Sequence, residues 1–103
     1  MLGITFKENC PDIRNTKVVD VVKELEQFGC IVDIYDPWAT AGEVKHEYGI
    51  DIVPSYELGD YNAIVLAVAH NEFKALDFST RSHNTVLYDI KSILPIEVVD
   101  GRL

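Results

Sequence analysis

The chain is 103 residues long, with 48% hydrophobic and 25% charged residues, a composition typical of one small globular domain with a single core. Its formal net charge is −8, from 17 acidic residues against 9 Lys and Arg, which argues against a surface for nucleic acid or anionic membrane, because both need clustered positive charge. No apolar run approaches the roughly 20 residues of a membrane span and no basic leader opens the chain, so we expect a cytoplasmic domain without a membrane partner.

The first predicted elements are a strand and an amphipathic helix. Residues 1–6 form an apolar strand, and because the chain starts inside this element, we expect it to be a piece excised from a longer protein. After a polar loop, apolar side chains recur at helical spacing from Asn15 or Thr16 onwards. Gly29 supplies a left-handed residue that ends this helix.

Three shorter elements follow. Residues 30–35 are rich in strand-forming side chains and end at Asp36-Pro37, where proline prevents continuation. A short helix is predicted over residues 41–48. Residues 50–53 predict a short strand of the kind found at sheet edges.

The second half of the sequence predicts further strands around a buried centre. One helical turn at residues 56–58 precedes residues 63–68, a continuous apolar run typical of a parallel strand that is covered on both faces. Residues 71–76 predict a weak helix and residues 85–89 predict a fifth strand. A sixth strand is expected at residues 96–99.

The alternation of strands and helices predicts the fold class. Such βαβ units, joined by right-handed crossovers, produce a mainly parallel sheet between two layers of helices. We therefore expect an α/β, Rossmann-like three-layer α/β/α sandwich with five or six strands. A single domain covers residues 1–103, with a frayed tail at residues 100–103.

Polar side chains that follow the predicted strands should meet at one edge of this sheet. In doubly wound sheets, ligands bind beyond the carboxyl ends of the strands. The residues concerned are Lys7, Arg14, Asp36, His70 and Lys91. Three of them are cations that suit phosphate oxygens, which indicates an anionic nucleotide as the ligand.

The sequence offers no complete cofactor, metal or nucleophile site. Gly3 stands alone ahead of Phe6, without the further glycines of a G-x-G-x-x-G turn, so the chain has no self-sufficient dinucleotide site. Cys10 and Cys30 lack Cys-x-x-Cys or Cys/His spacing, and we expect free thiols and no metal. Cys10 has no His or Asp partner spaced to activate it, and Cys30 is expected in the core.

Residues 3–16, GITFKENCPDIRNT, resemble the G-x-x-F-K-x-x-x-x-D-x-R-x-S/T signature of the UDP-glucose/GDP-mannose dehydrogenase family. The resemblance continues through Tyr35-Asp36-Pro37, the apolar strand that ends at His70, and Asp89-x-Lys91, so it covers nearly the full chain. The signature segment is most similar to that of bacterial enzymes of the Vi-antigen type, which oxidise UDP-N-acetylhexosamines for surface polysaccharides. UDP-glucose remains an alternative substrate.

The resemblance implies an enzyme of three parts. These are an N-terminal NAD domain, a central helical dimerisation segment that carries a catalytic cysteine, and this C-terminal UDP-binding domain. The implied reaction oxidises the sugar C6 alcohol to a uronate with two NAD molecules. The alcohol is first oxidised to an aldehyde, which forms a thiohemiacetal with that cysteine; the thiohemiacetal is oxidised to a thioester, and water hydrolyses the thioester. The fragment alone therefore has no catalytic residue.

The resemblance also implies roles for single residues. Lys7 contacts the UDP-sugar, and Arg14 reaches the NAD bound by the N-terminal domain, with Asp12 orienting it through an ion pair. Lys91 stands where many relatives carry an arginine that touches the nucleotide, and a lysine lacks the bidentate fork. His70 either bridges to a phosphate or sugar or caps the helix that follows it.

Two other hypotheses share this fold. A response-regulator receiver needs adjacent acids after its first strand and a phosphorylatable Asp after its third, whereas Lys7 and Pro54 stand nearest those places. A free-standing interaction module without nucleotide predicts no affinity for UDP. For the parent enzyme we expect a homodimer or a larger assembly, and the oligomeric state of the fragment stays open.

Overall fold

A three-stranded parallel sheet and three α-helices make up the regular structure in the computed structural model, which describes residues 1–103. The helices are α1 (Val18–Gln27), α2 (Ala41–Tyr48) and α3 (Asn71–Lys74). The strands are β1 (Ala63–Leu66), β2 (Val86–Asp89) and β3 (Gly101–Arg102). Short 3₁₀ turns lie at Leu58–Asp60 and Phe78–Thr80. The predicted α/β class with a parallel sheet is confirmed.

The central pair of strands lies where the sequence predicts it. β1 and β2 pair in parallel, with Ile64 opposite Leu87 and Leu66 opposite Asp89. All four of these side chains are buried. The apolar run predicted at residues 63–68 continues past the end of β1 as buried chain without strand pairing to β2.

The predicted strands at residues 1–6 and 30–35 do not form continuous ladders. Leu2 pairs in parallel with Tyr35 on one side and with Leu66 on the other, through one isolated bridge each. The first segment thus lies between the second and β1, as expected for parallel strands. Regular strands number three, fewer than the five or six that we predicted.

The reason for the short first ladder is the course of the chain just after Leu2. Gly3 has a φ of +101°, which turns the backbone out of the extended conformation. The next two N–H groups, of Ile4 and Thr5, donate to Oδ2 of Asp36 at 2.7 and 3.1 Å instead of to a neighbouring strand. A buried carboxylate therefore replaces the missing strand partners.

The predicted third strand is also reduced to a single contact. In residues 50–53, the Val53 N–H donates to the Ile34 carbonyl at 2.8 Å. No regular strand forms there. This segment lies beside residues 30–35, at the edge of the sheet, where the sequence predicts it.

The sixth strand is displaced toward the C-terminus. Residues 96–99 contain a turn in which the Val98 N–H donates to the Pro95 carbonyl at 3.0 Å. The tail that we predicted to be frayed instead supplies β3, where Gly101 lies opposite Tyr88. Asp100 anchors this strand, because its side chain accepts the Leu87 N–H at 2.7 Å and its own N–H donates to the Leu87 carbonyl at 2.8 Å.

The helices agree with the sequence pattern except at the start of α1. Asn15 has a φ of +58° and the Thr16 hydroxyl accepts the Val18 N–H at 3.3 Å, so the helix begins later than Asn15 or Thr16. Gly29 and Gly49 have φ values of +91° and +68°, as predicted for residues that end helices. α3 occupies the first part of the predicted 71–76 helix.

Two apolar clusters fill the interior. α1 and α2 contribute to the first, which comprises Ile4, Ile13, Val18, Val19, Val22, Ile34, Val44, Ala67 and Val68. α3 and the 3₁₀ turns contribute to the second, which comprises Leu2, Leu58, Ile64, Leu66, Phe73, Phe78, Leu87 and Leu94. β1 and β2 supply Ile64, Leu66 and Leu87 to the second cluster, whereas the first receives Ala67 and Val68 from the segment just after β1.

Cys30 does not lie in the core, so that expectation is wrong. The thiols of Cys30 and Cys10 are both free, Cys30 exposed and Cys10 half-buried. The segment at Cys30 forms no strand, and the neighbouring Ile31 is 97% exposed. None of the helices has the length and apolar character that a membrane crossing requires.

Candidate functional site at the carboxyl edge of the sheet

Asp36 is the centre of a buried polar network at the carboxyl edge of the sheet. Its Oδ2 atom accepts N–H groups from Ile4 and Thr5, and its Oδ1 atom accepts the N–H groups of Trp38 at 2.8 Å and Ala39 at 3.3 Å. The side chain has no solvent exposure. Hydrogen bonds from four backbone groups compensate for burying the carboxylate.

His70 completes this network. Its Nε2 atom lies 3.0 Å from Oδ2 of Asp36 and 3.1 Å from Oγ1 of Thr5, and its Nδ1 atom accepts the Asn9 N–H at 2.9 Å. Because the Thr5 hydroxyl donates to the Lys7 carbonyl at 3.0 Å and Nδ1 is an acceptor, the pattern assigns a neutral ring that carries its proton on Nε2.

His70 has a structural position. The ring is 0% exposed, so it does not face a ligand at the surface. His70 is the N-cap residue of α3, as predicted, and its carbonyl accepts the Phe73 N–H at 3.0 Å, although its side chain makes no capping hydrogen bond. The ring has Trp38 and Phe73 as aromatic neighbours, with centroid separations of 6.1 and 5.4 Å.

Lys7 lies in a loop that this network holds. The loop is closed by a backbone hydrogen bond of 2.7 Å from the Phe6 N–H to the Asp12 carbonyl. Asn9 binds it to the start of α3, because its N–H donates to His70 and its Oδ1 atom accepts the Asn71 N–H at 2.9 Å. The Lys7 side chain is exposed and therefore free to meet an anion.

Asn9 is the residue that sequence reasoning missed. It falls on an unspecified position of the signature, yet it has a φ of +53° and joins two segments. Asn tolerates the left-handed region better than most residues. That tolerance in a loop of polar residues was the one available signal, and its partner 61 positions away was not visible.

The expected ion pair between Asp12 and Arg14 is present at the surface. Nε and one terminal nitrogen of Arg14 donate to the two carboxylate oxygens of Asp12 at 3.0 and 3.1 Å. These side-chain hydrogen bonds lower the pKa of Asp12 below its usual value, with a smaller contribution from the charge of Lys7, and they raise the pKa of Arg14.

The backbone of Lys91 is held by a local turn around Asp89 and not by the Asp36 network. Its N–H donates to Oδ1 of Asp89 at 2.9 Å, while Oδ2 of Asp89 accepts the N–H groups of Ile93 and Leu94 at 2.8 Å each. Asp89 is fully buried and Lys91 is exposed. Because Leu66 and Asp89 lie side by side in parallel strands, Lys91 extends from the same edge of the sheet as the Asp36 network.

The five predicted site residues fall into two classes. Asp36 and His70 are in contact and buried, and they serve the architecture of the loops. Lys7, Arg14 and Lys91 are exposed, with no direct hydrogen bond among their side chains. Lys7 and Lys91 line none of the five main depressions of the surface, whereas Arg14 lines a shallow one beside α2, so the two lysines lie on open surface.

The close packing around Gly3 explains why the signature has a glycine at its first position. A Cβ atom on Gly3 would lie 2.5 Å from Cβ of Val68 and 3.0 Å from its backbone nitrogen. The missing side chain thus serves the packing of the first segment against the residues after β1.

No group of three or more His, Cys, Asp or Glu side chains is placed to hold a metal ion. The carboxylates of Asp36 and Asp89 are instead occupied by N–H donors.

Comparison of the sequence with known proteins identifies the family. The model of the UDP-glucose/GDP-mannose dehydrogenase family, UDP binding domain, matches residues 1–96. A UDP-N-acetyl-D-glucosamine 6-dehydrogenase of Salmonella typhi is 51% identical, with coverage of 100% of this chain and 25% of the relative. One of Pseudomonas aeruginosa is 48% identical with the same coverage. A UDP-glucose 6-dehydrogenase of Rhizobium meliloti (strain 1021) is 33% identical, with coverage of 90% and 22%.

The chain spans about a quarter of the length of the curated relatives it matches. The family match replaces the hypothesis of a response-regulator receiver. Since one family model covers residues 1–96 and full-length matches of the chain reach 51% identity, this protein belongs to the UDP-glucose/GDP-mannose dehydrogenase family and corresponds to its UDP binding domain.

Proposed function

We propose that this chain binds the UDP part of the substrate in an NAD-dependent UDP-sugar 6-dehydrogenase that forms a uronate for polysaccharide biosynthesis. The observation that carries the proposal is that Lys7 is exposed on a loop whose inner side is hydrogen-bonded to the buried network of His70 and Asp36. The chain also matches the UDP binding domain of the family. The isolated chain is not catalytic, because the nucleophilic cysteine of the reaction belongs to another part of the enzyme.

Lys7 and Lys91 are the proposed substrate-binding residues. Both are exposed cations at the carboxyl edge of the sheet, where ligands of doubly wound sheets bind. An ammonium group donates up to three hydrogen bonds and attracts the charge of a diphosphate. In a chain of net charge −8, such local cations are needed to hold an anion.

Arg14 is the proposed contact to NAD, which accepts hydride from the sugar carbon when it is bound. The guanidinium side chain is 80% exposed, and Asp12 engages one of its edges. The remaining N–H groups are free for a phosphate or hydroxyl group. In this proposal, NAD is bound mainly by the N-terminal domain that the resemblance implies.

UDP-N-acetyl-D-glucosamine is the proposed substrate of the parent enzyme, and UDP-glucose is the alternative. Relatives at 51% and 48% identity carry the first activity in their names and a relative at 33% carries the second. The proposed partners are the NAD domain and the central helical segment, in a cytoplasmic homodimer or larger assembly. The open carboxyl edge supports this arrangement, because a second surface is needed to enclose a ligand.

The first test is an NMR titration of the ¹⁵N-labelled chain with UDP, with CMP as the control nucleotide. We expect UDP to shift the amide signals of Lys7, Arg14 and Lys91. Lys7→Gln removes a charge-assisted contact and should weaken UDP binding about tenfold. Lys23→Gln is the matched control, because Lys23 is exposed on α1, and it should leave the affinity unchanged.

Two results contradict the proposal. One is an equal response to UDP and CMP, and the other is a set of shifts remote from the carboxyl edge. A complete lack of response to UDP at millimolar concentration would mean either that the site needs its partner domains or that the chain is an interaction module that binds no nucleotide, and the second test decides between them.

The second test uses the chain joined to the NAD and central domains of the longer enzyme. We expect NADH formation with a UDP-sugar, and we expect Lys7→Ala to abolish it or weaken it severely. Undiminished turnover in that variant would refute the assignment of Lys7.

A further inference from the structure

The loop that carries Lys7 is tied to the interior by a hydrogen bond from Asn9 to His70, beside the bonds from the Thr5 hydroxyl to the Lys7 carbonyl and from the Asn71 N–H to Oδ1 of Asn9. Residues 7–9 belong to no helix or strand, so the sheet does not hold them directly. The Asn9 N–H reaches Nδ1 of His70 at 2.9 Å, and this atom belongs to a ring that is completely buried. A loop that is exposed on its outer side is thus fixed from its inner side.

The imidazole ring of His70 cannot flip without losing hydrogen bonds. Its Nε2–H group lies against Asp36 and Thr5, and Trp38 and Phe73 contact it as aromatic neighbours. A flipped ring would bring a carbon to the Asn9 N–H, and this half-buried donor would lose its protein acceptor. The buried network therefore fixes the position of Nδ1, the atom that accepts the Asn9 N–H of the loop.

We infer that His70 is a positioning residue, whose Nδ1 atom holds the Asn9 N–H and thereby sets the loop that presents Lys7 to the diphosphate of a UDP ligand. This inference rests on the function proposed above. His70 does not touch the ligand, and it acts through Asn9. Its role differs from that of an ordinary core residue, because Nδ1 accepts a backbone N–H of the loop directly, whereas Nε2 reaches the loop only through the Thr5 hydroxyl.

This difference allows the role to be tested with two conservative variants. In His70→Asn, the amide oxygen takes about the place of Nδ1 and can accept the Asn9 N–H, while the donor to Asp36 is lost. In His70→Gln, the terminal amide takes about the place of Nε2 and can donate to Asp36, while the Asn9 N–H loses its acceptor. Both variants disturb the core, but only His70→Gln removes the acceptor of the Asn9 N–H.

We expect ¹⁵N relaxation to show a mobile Lys7 amide in His70→Gln and an ordered one in His70→Asn and the unaltered chain. The affinity for UDP should fall about fivefold in His70→Gln, the effect of one hydrogen bond, and should stay within about twofold in His70→Asn. Long-range ¹H–¹⁵N spectra of the unaltered chain should show the proton on Nε2. Equal loop order and equal affinity in the two variants, or affinities that follow thermal stability, would overturn the inference.

Asn9→Gly provides a test that does not touch the core, should His70→Gln fail to fold. Glycine accepts the φ of +53° at this position, but it loses the hydrogen bond from the Asn71 N–H and adds backbone freedom. Because the backbone N–H at position 9 remains and can still donate to Nδ1 of His70, we expect an ordered Lys7 amide and a UDP affinity within about twofold of that of the unaltered chain; a mobile Lys7 amide would show that the contact with Asn71, and not His70, sets the loop.

The relaxation measurements also separate this inference from the proposed function. A chain that shows no response to UDP, but whose Lys7 loop is released only by His70→Gln, would support the positioning role and contradict the binding of UDP. A chain that binds UDP at the carboxyl edge equally well in both variants would support the function and overturn the role of His70.

Discussion

Two buried carboxylates, Asp36 and Asp89, hold the two ends of the proposed site in different ways. Asp36 accepts N–H groups from Ile4 and Thr5, which lie 32 and 31 positions earlier, and contacts His70, which lies 34 positions later. Asp89 accepts only N–H groups from residues two, four and five positions after it. The first carboxylate joins distant segments, and the second closes its own turn.

The comparison teaches that the two proposed phosphate-binding lysines differ in what determines their position. Lys7 depends on contacts among three segments that are far apart in sequence. Lys91 depends on a local turn after β2. Substitutions at the first carboxylate should therefore act on the fold and on Lys7 together, whereas those at the second should act locally.

Asp36→Ala should have the largest effect on stability. It leaves several buried N–H groups and the His70 ring without an acceptor, and we expect a loss of about 4 kcal/mol of unfolding free energy. Urea unfolding followed by circular dichroism measures this loss. A loss no greater than that of the corresponding change at Asp89 would break the proposed distinction between the two carboxylates.

Gly3→Ala tests the same region without removing a hydrogen-bonding group. Its methyl group would meet Val68 at 2.5 Å at a φ of +101°, and strain and overpacking together should cost about 3 kcal/mol. Gly42→Ala is the matched control, because a methyl group there meets no atom within 4 Å and favours α2 by about 0.5–1 kcal/mol. Similar stabilities of the two variants would contradict the close approach of Gly3 to Val68.

Asp89→Ala should have an intermediate and local effect. Three N–H groups lose their acceptor, but Lys91 and Ser92 in the same turn are exposed, so water can compensate in part, and we expect a loss of about 2 kcal/mol. NMR should show a displaced Lys91 amide and unchanged Lys7 and Asn9 amides. Displacement of the Lys7 loop would show that the two ends of the site are coupled.

Asp12→Asn should have the smallest effect, because its ion pair with Arg14 is at the surface and solvent screens it. The pKa of Asp12 is lowered in the folded chain, first by its side-chain hydrogen bonds to Arg14. Its contribution to stability is therefore present above the ordinary aspartate pKa of about 3.9 and is lost as the pH falls through the lower folded value.

Urea unfolding at a series of pH values checks this sign. The unaltered chain should be slightly more stable than Asp12→Asn at neutral pH, and the difference should vanish in acid. Asp77→Asn is a useful parallel, because hydrogen bonds from Ser79 lower the pKa of Asp77 in the same direction. A difference that grows on acidification would contradict the pKa shift of Asp12.

Local patterns in the sequence were sufficient for the helices and the central strands. α2 has the bounds predicted for it, and β1 and β2 lie inside their predicted ranges, because periodic apolar side chains and glycine stops act over a few residues. The first strand and the tail were predicted less well. Their outcomes depend on Gly3, Asp36 and Asp100, which make contacts with segments that a local pattern does not reveal.

The sequence by itself determined the α/β class, the resemblance to the dehydrogenase family and the exposed cations at the ends of the predicted strands, since these follow from spacing along the chain. Only the tertiary structure decided that His70 is buried against Asp36 and that Asn9 holds the Lys7 loop. The physical reason is that a hydrogen bond between residues 61 positions apart forms only when packing of the whole chain brings a donor and an acceptor together away from water.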